Sequence, residues 1–216
     1  MEDSDSRTTI KETALDLLVQ HGYRGMNFGD IASAMGVTRA SIHYHFGTKA
    51  ALVDEVLADY VETTLTALRF IWMNESTTLA SKLEQLLAHG RGRYARFNRT
   101  RQPVRPWSLI SRLRQDEDLL SPDGRARLRR FTAELHTIFL GALENAQIRG
   151  EVSTTVSPIA LSRLLVAIAD NAAPITMAGG GFADLEATYL ALVEVWRPSA
   201  AADTGERSSS RPPRSC

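Results

Sequence analysis

Cysteine is nearly absent from this sequence: its 216 residues contain one, Cys216, at the last position. One thiol forms no disulfide within the chain and no thiolate cage for a metal ion. Long hydrophobic runs are also missing, since the longest unbroken apolar stretch, residues 164–169, is far shorter than the roughly 20 residues that span a bilayer. The start of the chain carries Glu2, Asp3 and Asp5 instead of the basic residues of a secretion signal. These absences predict a cytoplasmic protein that has no membrane contact.

An excess of charge of either sign is absent as well. The chain has 25 Lys and Arg residues and 25 Asp and Glu residues, whereas proteins that bind a phosphate backbone usually have a basic surplus. The distribution is uneven, however, because residues 82–130 contain 13 basic and 5 acidic side chains, and residues 7–53 contain five and three. The balance therefore does not exclude DNA binding by residues 7–53. It predicts modest non-specific affinity and a larger dependence on base contacts and dimer geometry.

Helical periodicity is present along nearly the whole chain. Apolar residues recur every three or four positions in successive segments, and no alternating strand pattern of convincing length occurs. We predict an all-α protein with an N-terminal three-helix helix-turn-helix domain at residues 1–57. A C-terminal helical ligand-binding and dimerisation domain is predicted at residues 58–197, in which Pro174 either kinks or shortens its helix. Residues 198–216 have a Ser, Pro and Arg bias that predicts a disordered tail.

Residues 28–47 have the spacing that a helix-turn-helix unit requires. Ala32 is small where the two helices must approach closely, and Gly36 suits the left-handed backbone of the tight turn. On the third helix, Ile42 and Phe46 are four residues apart and are expected to face the core. The other faces of this helix are then available to enter a major groove.

The segment FGDIASAMGVTRASIHYHFGTKAAL, Phe28 to Leu52, resembles the DNA-binding domain of the TetR family of transcriptional regulators. The matching features are Asp30-Ile31-Ala32, Gly36-Val37, Tyr44-x-Phe46 and Lys49. The resemblance covers about residues 8–57, and beyond them only the helical architecture and the length agree. It implies a homodimer that binds a palindromic operator in double-stranded DNA and releases it when a small-molecule effector occupies the second domain.

By this resemblance, the DNA-contacting residues lie on or beside the third helix. They are predicted to be Thr38, Arg39, Ala40, Ser41, His43, Tyr44, His45 and Lys49. Arg39 is suited to donate two hydrogen bonds to guanine, and Lys49 lies at a helix N-terminus, which favours phosphate. The alternatives are a solvated Arg39 and a Tyr44 that packs with its hydroxyl on a phosphate. Gly29 departs from the longer polar residues found in the family, so no side-chain contact is expected from it.

The resemblance also places aromatic residues on the helices that enclose the effector pocket in the family. The candidates are Tyr94, Phe97, Trp107, Phe131, His136 and Phe139, and the alternative is that they are ordinary core residues. Arginines at positions 91, 93, 96, 99, 101 and 105 form the strongest charge feature. Either they form a solvated face paired with the acidic run at residues 116–118 and the acidic flanks, or one or two of them point inward and meet an acidic effector.

The last two helices carry apolar residues on two faces. One face can cover the core while the other pairs with a second chain as a four-helix bundle. The candidate interface residues are Leu164, Ile168, Leu185, Tyr189, Val193 and Trp196. The alternative is a thick core within one chain.

Catalytic and metal-binding motifs are lacking. The sequence has no Gly-x-Ser-x-Gly elbow and no His-Glu-x-x-His, and no Gly-Lys-Ser/Thr follows Gly179–Gly181. His43 and His45 are two residues apart and point about 200° from each other on a helix. We therefore expect no enzyme, no cofactor and no metal. The main hypothesis is an effector-released repressor; the alternatives are an activator or a ligand-independent regulator controlled by a protein partner, and an enzyme or binding protein that contains a helix-turn-helix.

Overall fold

A computed structural model describes residues 2–99 and 104–198 of the chain, and these residues form ten α-helices. No strand occurs in the two described ranges, which confirms the all-α prediction. The helices are α1 (Glu2–Gly25), α2 (Phe28–Met35), α3 (Arg39–Phe46), α4 (Lys49–Trp72), α5 (Leu79–Phe97), α6 (Leu109–Gln115), α7 (Pro122–Ile148), α8 (Pro158–Asp170), α9 (Ala172–Ala178) and α10 (Phe182–Trp196). The predicted tail lies outside the described residues apart from position 198.

The helix-turn-helix unit forms as the local sequence predicts. The side chain of Asn27 accepts hydrogen bonds from the first amides of α2, and Thr38 does the same for α3, as expected of N-cap residues. Gly36 adopts a left-handed conformation, with φ 68°, in the turn between the two helices. Ile42 and Phe46 are buried. The remaining faces of α3 are thereby left toward solvent.

Helix α1 is interrupted close to its C-terminal end. Gly22 leaves the helical conformation with φ 71° and ψ −174°. The break frees the amide of Tyr23 for a partner outside the helix, which becomes important at the junction with α6.

The second half of the chain is built around α7, which packs against α4 and α8. Helix α4 continues without a break through residue 57, so the predicted domain boundary falls inside one continuous helix. The helix is shortened ahead of Pro174 and not kinked at it, because the break between α8 and α9 occurs at Asn171. Pro174 then lies in the first turn of α9, where a missing N–H removes no helical hydrogen bond.

No single described helix is long and apolar enough to cross a membrane. Helices α8 and α9 satisfy length and composition only when they are taken together, and they are bent by 61°.

Candidate DNA-binding surface and effector cavity

Helix α3 presents most of the predicted DNA-contacting side chains to solvent. Thr38, Arg39, Ala40, His43 and Tyr44 are exposed, with Tyr44 at 82% of its full accessibility. Two further candidates, at positions 41 and 45, are half-buried. A tyrosine this exposed contributes little to the core of the protomer, so its packing alternative is not supported within one chain.

Some polar atoms of this surface already have partners. The Thr38 hydroxyl accepts a hydrogen bond from the Ser41 amide at 3.2 Å. His43 places Nδ1 3.0 Å from the carbonyl oxygen of Gly47, and its ring meets Phe28 edge-on at 4.7 Å. Arg39 forms no ion pair with a described residue. Arg39 and the Tyr44 hydroxyl are therefore the long polar groups that point outward from α3.

Arg7 on α1 fixes the orientation of α3 from the side opposite its solvent-exposed face. Its guanidinium donates to both carboxylate oxygens of Glu55 at 2.7 and 2.8 Å and also to the carbonyl oxygen of His45. It stacks over the Phe46 ring, 4.3 Å from the centroid. One side chain of α1 thus holds α3 and α4 together. No local sequence pattern indicates this role, because all partners of Arg7 are distant along the chain.

Lys49 begins α4 and is less free than its sequence position suggests. Its ammonium group lies 4.5 Å from the centre of the Tyr23 ring. Burial lowers the pKa of Lys49, and the nearby Asp116 carboxylate opposes that shift. A phosphate at the start of α4 would therefore meet a cation positioned by α1 and by the residue that follows α6.

The junction between α1 and α6 is centred on Asp116. Its carboxylate accepts a hydrogen bond from the Tyr23 amide at 2.9 Å and pairs with Arg24 at 3.3 Å. A Cβ atom at Gly22 would lie 2.5 Å from Oδ2 of Asp116, so this close approach also requires glycine. Arg24 pairs with Asp118 as well, at 3.2 Å. Asp116 and Asp118 thus pair with Arg24, and neither forms an ion pair with a described arginine of residues 91–105.

A cavity of about 650 Å³, measured with its open mouth, lies in the C-terminal helical part. Ligand pockets in proteins are mostly apolar, with a few polar groups that orient the ligand. Most of its lining is apolar, and the lining residues are Tyr60, Thr64, Leu68, Leu86, Leu87, His89, Gly90, Arg93, Trp107, Ser108, Ile110, Phe131, Leu135, Ala169, Asp170, Ala172, Phe182, Leu185 and Tyr189. Its lining is suited to a small molecule with an apolar body.

Two of the predicted aromatic residues, Trp107 and Phe131, line this cavity. Phe97 lines an adjoining outer groove, and Tyr94 packs behind the wall, 6.2 Å from the Trp107 ring centroid.

The remaining two predictions are corrected, because α7 carries His136 and Phe139 away from the cavity. His136 places Nε2 3.1 Å from the Ser162 hydroxyl on α8. Phe139 is fully buried against Trp72, with the ring centroids 4.6 Å apart. Both residues therefore join core helices.

Arg93 is the cationic group of the cavity wall. Its guanidinium lies 4.2 Å from the centre of the Tyr60 ring and donates a hydrogen bond to the Thr64 hydroxyl at 3.2 Å. Burial, with Arg96 nearby, lowers the pKa of Arg93 to about 10, so the group is still charged at neutral pH. Nε2 of His89 is buried without a hydrogen-bond partner among the described residues.

A signal for the position of Arg93 was present in the sequence. Leu79, Leu83, Leu86, Gly90, Arg93 and Phe97 recur at intervals of three and four residues, so they share one face of α5. The neighbouring Arg91 and Arg96 leave this face and pair with Glu186 and Asp16. Among the described arginines of this run, Arg91 and Arg96 therefore pair at the surface, whereas Arg93 points inward.

Helix α6 joins the cavity to the DNA-binding domain. The Leu109 amide at its start donates to the hydroxyl of Tyr60 at 3.1 Å. Ser111 donates to the carbonyl oxygen of Asp170, and Arg114 pairs with the Asp170 carboxylate at 3.1 Å. Tyr60 and Asp170 both line the cavity. At the other end of α6, Asp116 directly follows the helix and forms the junction with α1.

The predicted dimer interface is partly corrected. Leu185, Tyr189 and Trp196 are buried within the protomer, because α10 turns this stripe toward its own core. Ile168 and Val193 are half-buried, and Leu164 is exposed. The outward face of α8 and α10 is formed instead by the exposed residues Ile159, Leu164, Ala167, Ala187, Leu190 and Val195.

Comparisons with known proteins agree with the helix-turn-helix in the N-terminal part of the chain. Residues 10–56 match the family model described as bacterial regulatory proteins, tetR family. The chain is 34% identical over 59 residues to the HTH-type transcriptional repressor KstR2 of Rhodococcus jostii, with 27% of this chain and 29% of that protein covered. It is 40% identical over 55 residues to the HTH-type transcriptional regulator AcrR of Shigella flexneri, covering 26% of each. The matched part therefore spans less than a third of either curated relative.

Similarity over the whole length is found among solved structures. A TetR-family transcriptional regulator from Agrobacterium tumefaciens superimposes with a TM-score of 0.79 at 20% identity, covering 90% of this chain and 99% of the other. This likeness shows the fold of both parts of the chain.

Proposed function

We propose that this chain, a member of the TetR family of bacterial regulatory proteins, is a cytoplasmic transcriptional repressor released from a palindromic operator by a small-molecule effector. The observation that carries the proposal is α6, which begins at the apolar cavity and is followed by the junction with α1 of the helix-turn-helix domain. Residues 1–57 read DNA, and residues 58–197 bind the effector and the second subunit. A cavity lined mainly by apolar side chains, with a few polar groups, favours a ligand-responsive regulator over one controlled only by a protein partner.

The proposed mechanism is a shift between two populations of the dimer. An effector that binds better to one arrangement of the helices around the cavity stabilises that arrangement. Since Tyr60 and Asp170 contact both the cavity and α6, their displacement moves α6 relative to α1. The two recognition helices are then wrongly spaced for the operator, and the affinity for DNA falls by the coupling free energy.

A homodimer requires a self-complementary surface, and the outward face of α8 and α10 is suited to that role. It carries exposed Leu164 and Leu190 among alanines that permit close helix packing. Four such helices around a two-fold axis would place the recognition helices about 34–36 Å apart, or at a multiple of that distance.

The dimer is tested by light scattering on Leu164→Arg and Leu190→Arg. We expect monomers that lose specific operator binding. The matched control is Ile148→Arg, which changes an equally apolar exposed side chain at the end of α7 and should leave the dimer intact. Dimers of unchanged stability in both interface variants would refute this assignment.

Operator selection tests the function as a whole. The full chain is incubated with random duplex DNA, and bound fragments are sequenced after repeated rounds. We expect a palindrome whose half-sites are separated by helical turns, and Arg39→Ala as control should lose the enrichment at one base pair per half-site. A lack of any enriched sequence would contradict the proposal.

A further inference from the structure

Arg93 stands where two hollow regions of the molecule meet. Tyr60, Thr64, His89, Arg93 and Trp107 line both the inner cavity and the outer groove, which measures about 1330 Å³ with its open side. A ligand that enters through the groove therefore reaches Arg93 before its body fills the inner cavity.

Within the described residues, no carboxylate forms an ion pair with Arg93. The acidic groups along the two hollows have other cations: Asp170 pairs with Arg114 at 3.1 Å, and Asp59 pairs with Lys11 at 2.6 Å. Glu12 is exposed at the side of the groove. The half-buried Arg93 guanidinium thus lacks an acidic partner among the described residues, and the Thr64 hydroxyl and the Tyr60 ring compensate for its charge only in part.

The neighbouring arginines on α5 differ from Arg93 because they have acidic partners. Arg91 pairs with Glu186, and Arg96 pairs with Asp16 at 2.6 Å. The helix therefore gives acidic partners to its outward arginines, whereas the arginine on its apolar face has none among the described residues.

We propose that the effector is an amphipathic carboxylic acid whose carboxylate binds Arg93 and whose apolar body packs against Trp107, Phe131 and Phe182. The inference rests on the proposed function and specifies the ligand of the same cavity. A guanidinium presents several N–H donors that match a carboxylate, and the unpartnered Nε2 of His89 provides one further hydrogen-bonding group at the same place.

The same geometry explains how an anion would be sensed. Arg93 stacks on the Tyr60 ring, and the Tyr60 hydroxyl accepts the hydrogen bond from the first amide of α6. A carboxylate that draws Arg93 toward the cavity changes the packing of Tyr60. The start of α6 is thus the first element displaced.

The test is calorimetric titration of the full chain at neutral pH with matched compounds. Two apolar bodies, decyl and naphthylmethyl, are each used with a carboxylate, a neutral amide or a trimethylammonium group. We expect the carboxylate to bind roughly 10- to 100-fold more tightly than the amide, as for a hydrogen-bonded charged pair, and the ammonium compound to bind least. Arg93→Met should abolish this preference, Arg93→Lys should retain part of it, and Arg99→Met, at an exposed arginine just after α5, should not affect it.

Three results would overturn the inference: amide or ammonium members that bind as tightly as the carboxylates, a preference that survives Arg93→Met, or no binding by any of the six compounds. The order of the compounds is measured on the unaltered chain, so it decides the question even where Arg93→Met fails to fold. A parallel gel-shift titration with the selected operator separates this result from the proposed function. Release by a neutral or cationic compound would overturn the inference alone, whereas carboxylate binding without any operator would overturn the function alone.

Discussion

Replacing Asp116 with alanine should weaken the attachment of α6 to α1. Asp116 is buried and accepts the hydrogen bond from the Tyr23 amide, which is available because α1 breaks at Gly22. Without the carboxylate, that N–H has no acceptor, and a buried unpaired donor costs about 1–3 kcal/mol. The ion pair adds little, because the Arg24 side chain is 65% exposed. We therefore expect Asp116→Ala to lower the free energy of unfolding by about 1–3 kcal/mol.

The measurement is urea denaturation followed by circular dichroism, with Asp118→Ala as the matched control. Asp118 also pairs with Arg24, but its side chain is 68% exposed. Its removal should therefore change the free energy of unfolding by no more than about 0.5 kcal/mol. Equal losses in the two variants would refute the argument that the buried hydrogen bond, rather than the surface charge, holds the junction.

The same pair of variants tests coupling. If α6 transmits the state of the cavity through Asp116, an effector should release the operator less effectively from the Asp116→Ala variant than from the original chain. The affinity of the effector for the cavity should change little. The quantity measured is the ratio of the operator dissociation constants with and without saturating effector. A ratio unchanged from the original chain would show that the signal does not pass through this residue.

Further predictions concern the DNA surface and acid stability. Arg39→Ala should weaken binding to the cognate operator by about 1–3 kcal/mol and relax the preference at one base pair per half-site, as measured by titration at fixed salt; unchanged affinity would show a solvated side chain. Lys49→Ala should weaken binding to all sequences alike and flatten its salt dependence, whereas a base-selective loss would show that Lys49 reads sequence. Burial raises the pKa of Glu151, but the hydrogen bonds from the Leu79 amide and Arg149 lower it more. This folded-state pKa lies below the ordinary value of 4.5, so the stabilisation is complete above that value and is lost as the pH falls through the lowered pKa. Denaturation at a series of acidic pH values should therefore show less acid sensitivity for Glu151→Gln, and an unchanged pH profile would contradict this.

The helix-turn-helix could be predicted because its determinants are local. The N-cap of α2 at Asn27, the left-handed turn at Gly36 and the buried pair Ile42 and Phe46 all act within a few residues of one another. Because these interactions are short-range, the local sequence is enough to predict both the helices and the face that remains exposed.

The C-terminal part was predicted less well because its determinants are distant. Helix α10 is apolar on two sides, and periodicity does not say which side faces the protomer. The stripe through Leu185 and Tyr189 covers the core of this chain, whereas the stripe through Leu190 stays exposed. Likewise, Arg93 lies on the apolar stripe of α5, but its contact with Tyr60 depends on how α4 and α5 pack.

The arrangement gives a ligand at Arg93 two connections to α1. One passes through Tyr60 and α6 to Asp116 and the Tyr23 amide, near the end of α1. The other passes along α5 to Arg96, which pairs with Asp16 in the middle of α1. The two attachments lie on either side of the break at Gly22, so the second acts on the segment of α1 that also carries Arg7. Because Arg7 of the same helix donates to a carbonyl oxygen of α3, a shift of α1 would change the position of the recognition helix directly. The zero net charge of the chain thus conceals arginines that connect the helices around the cavity to the helix-turn-helix.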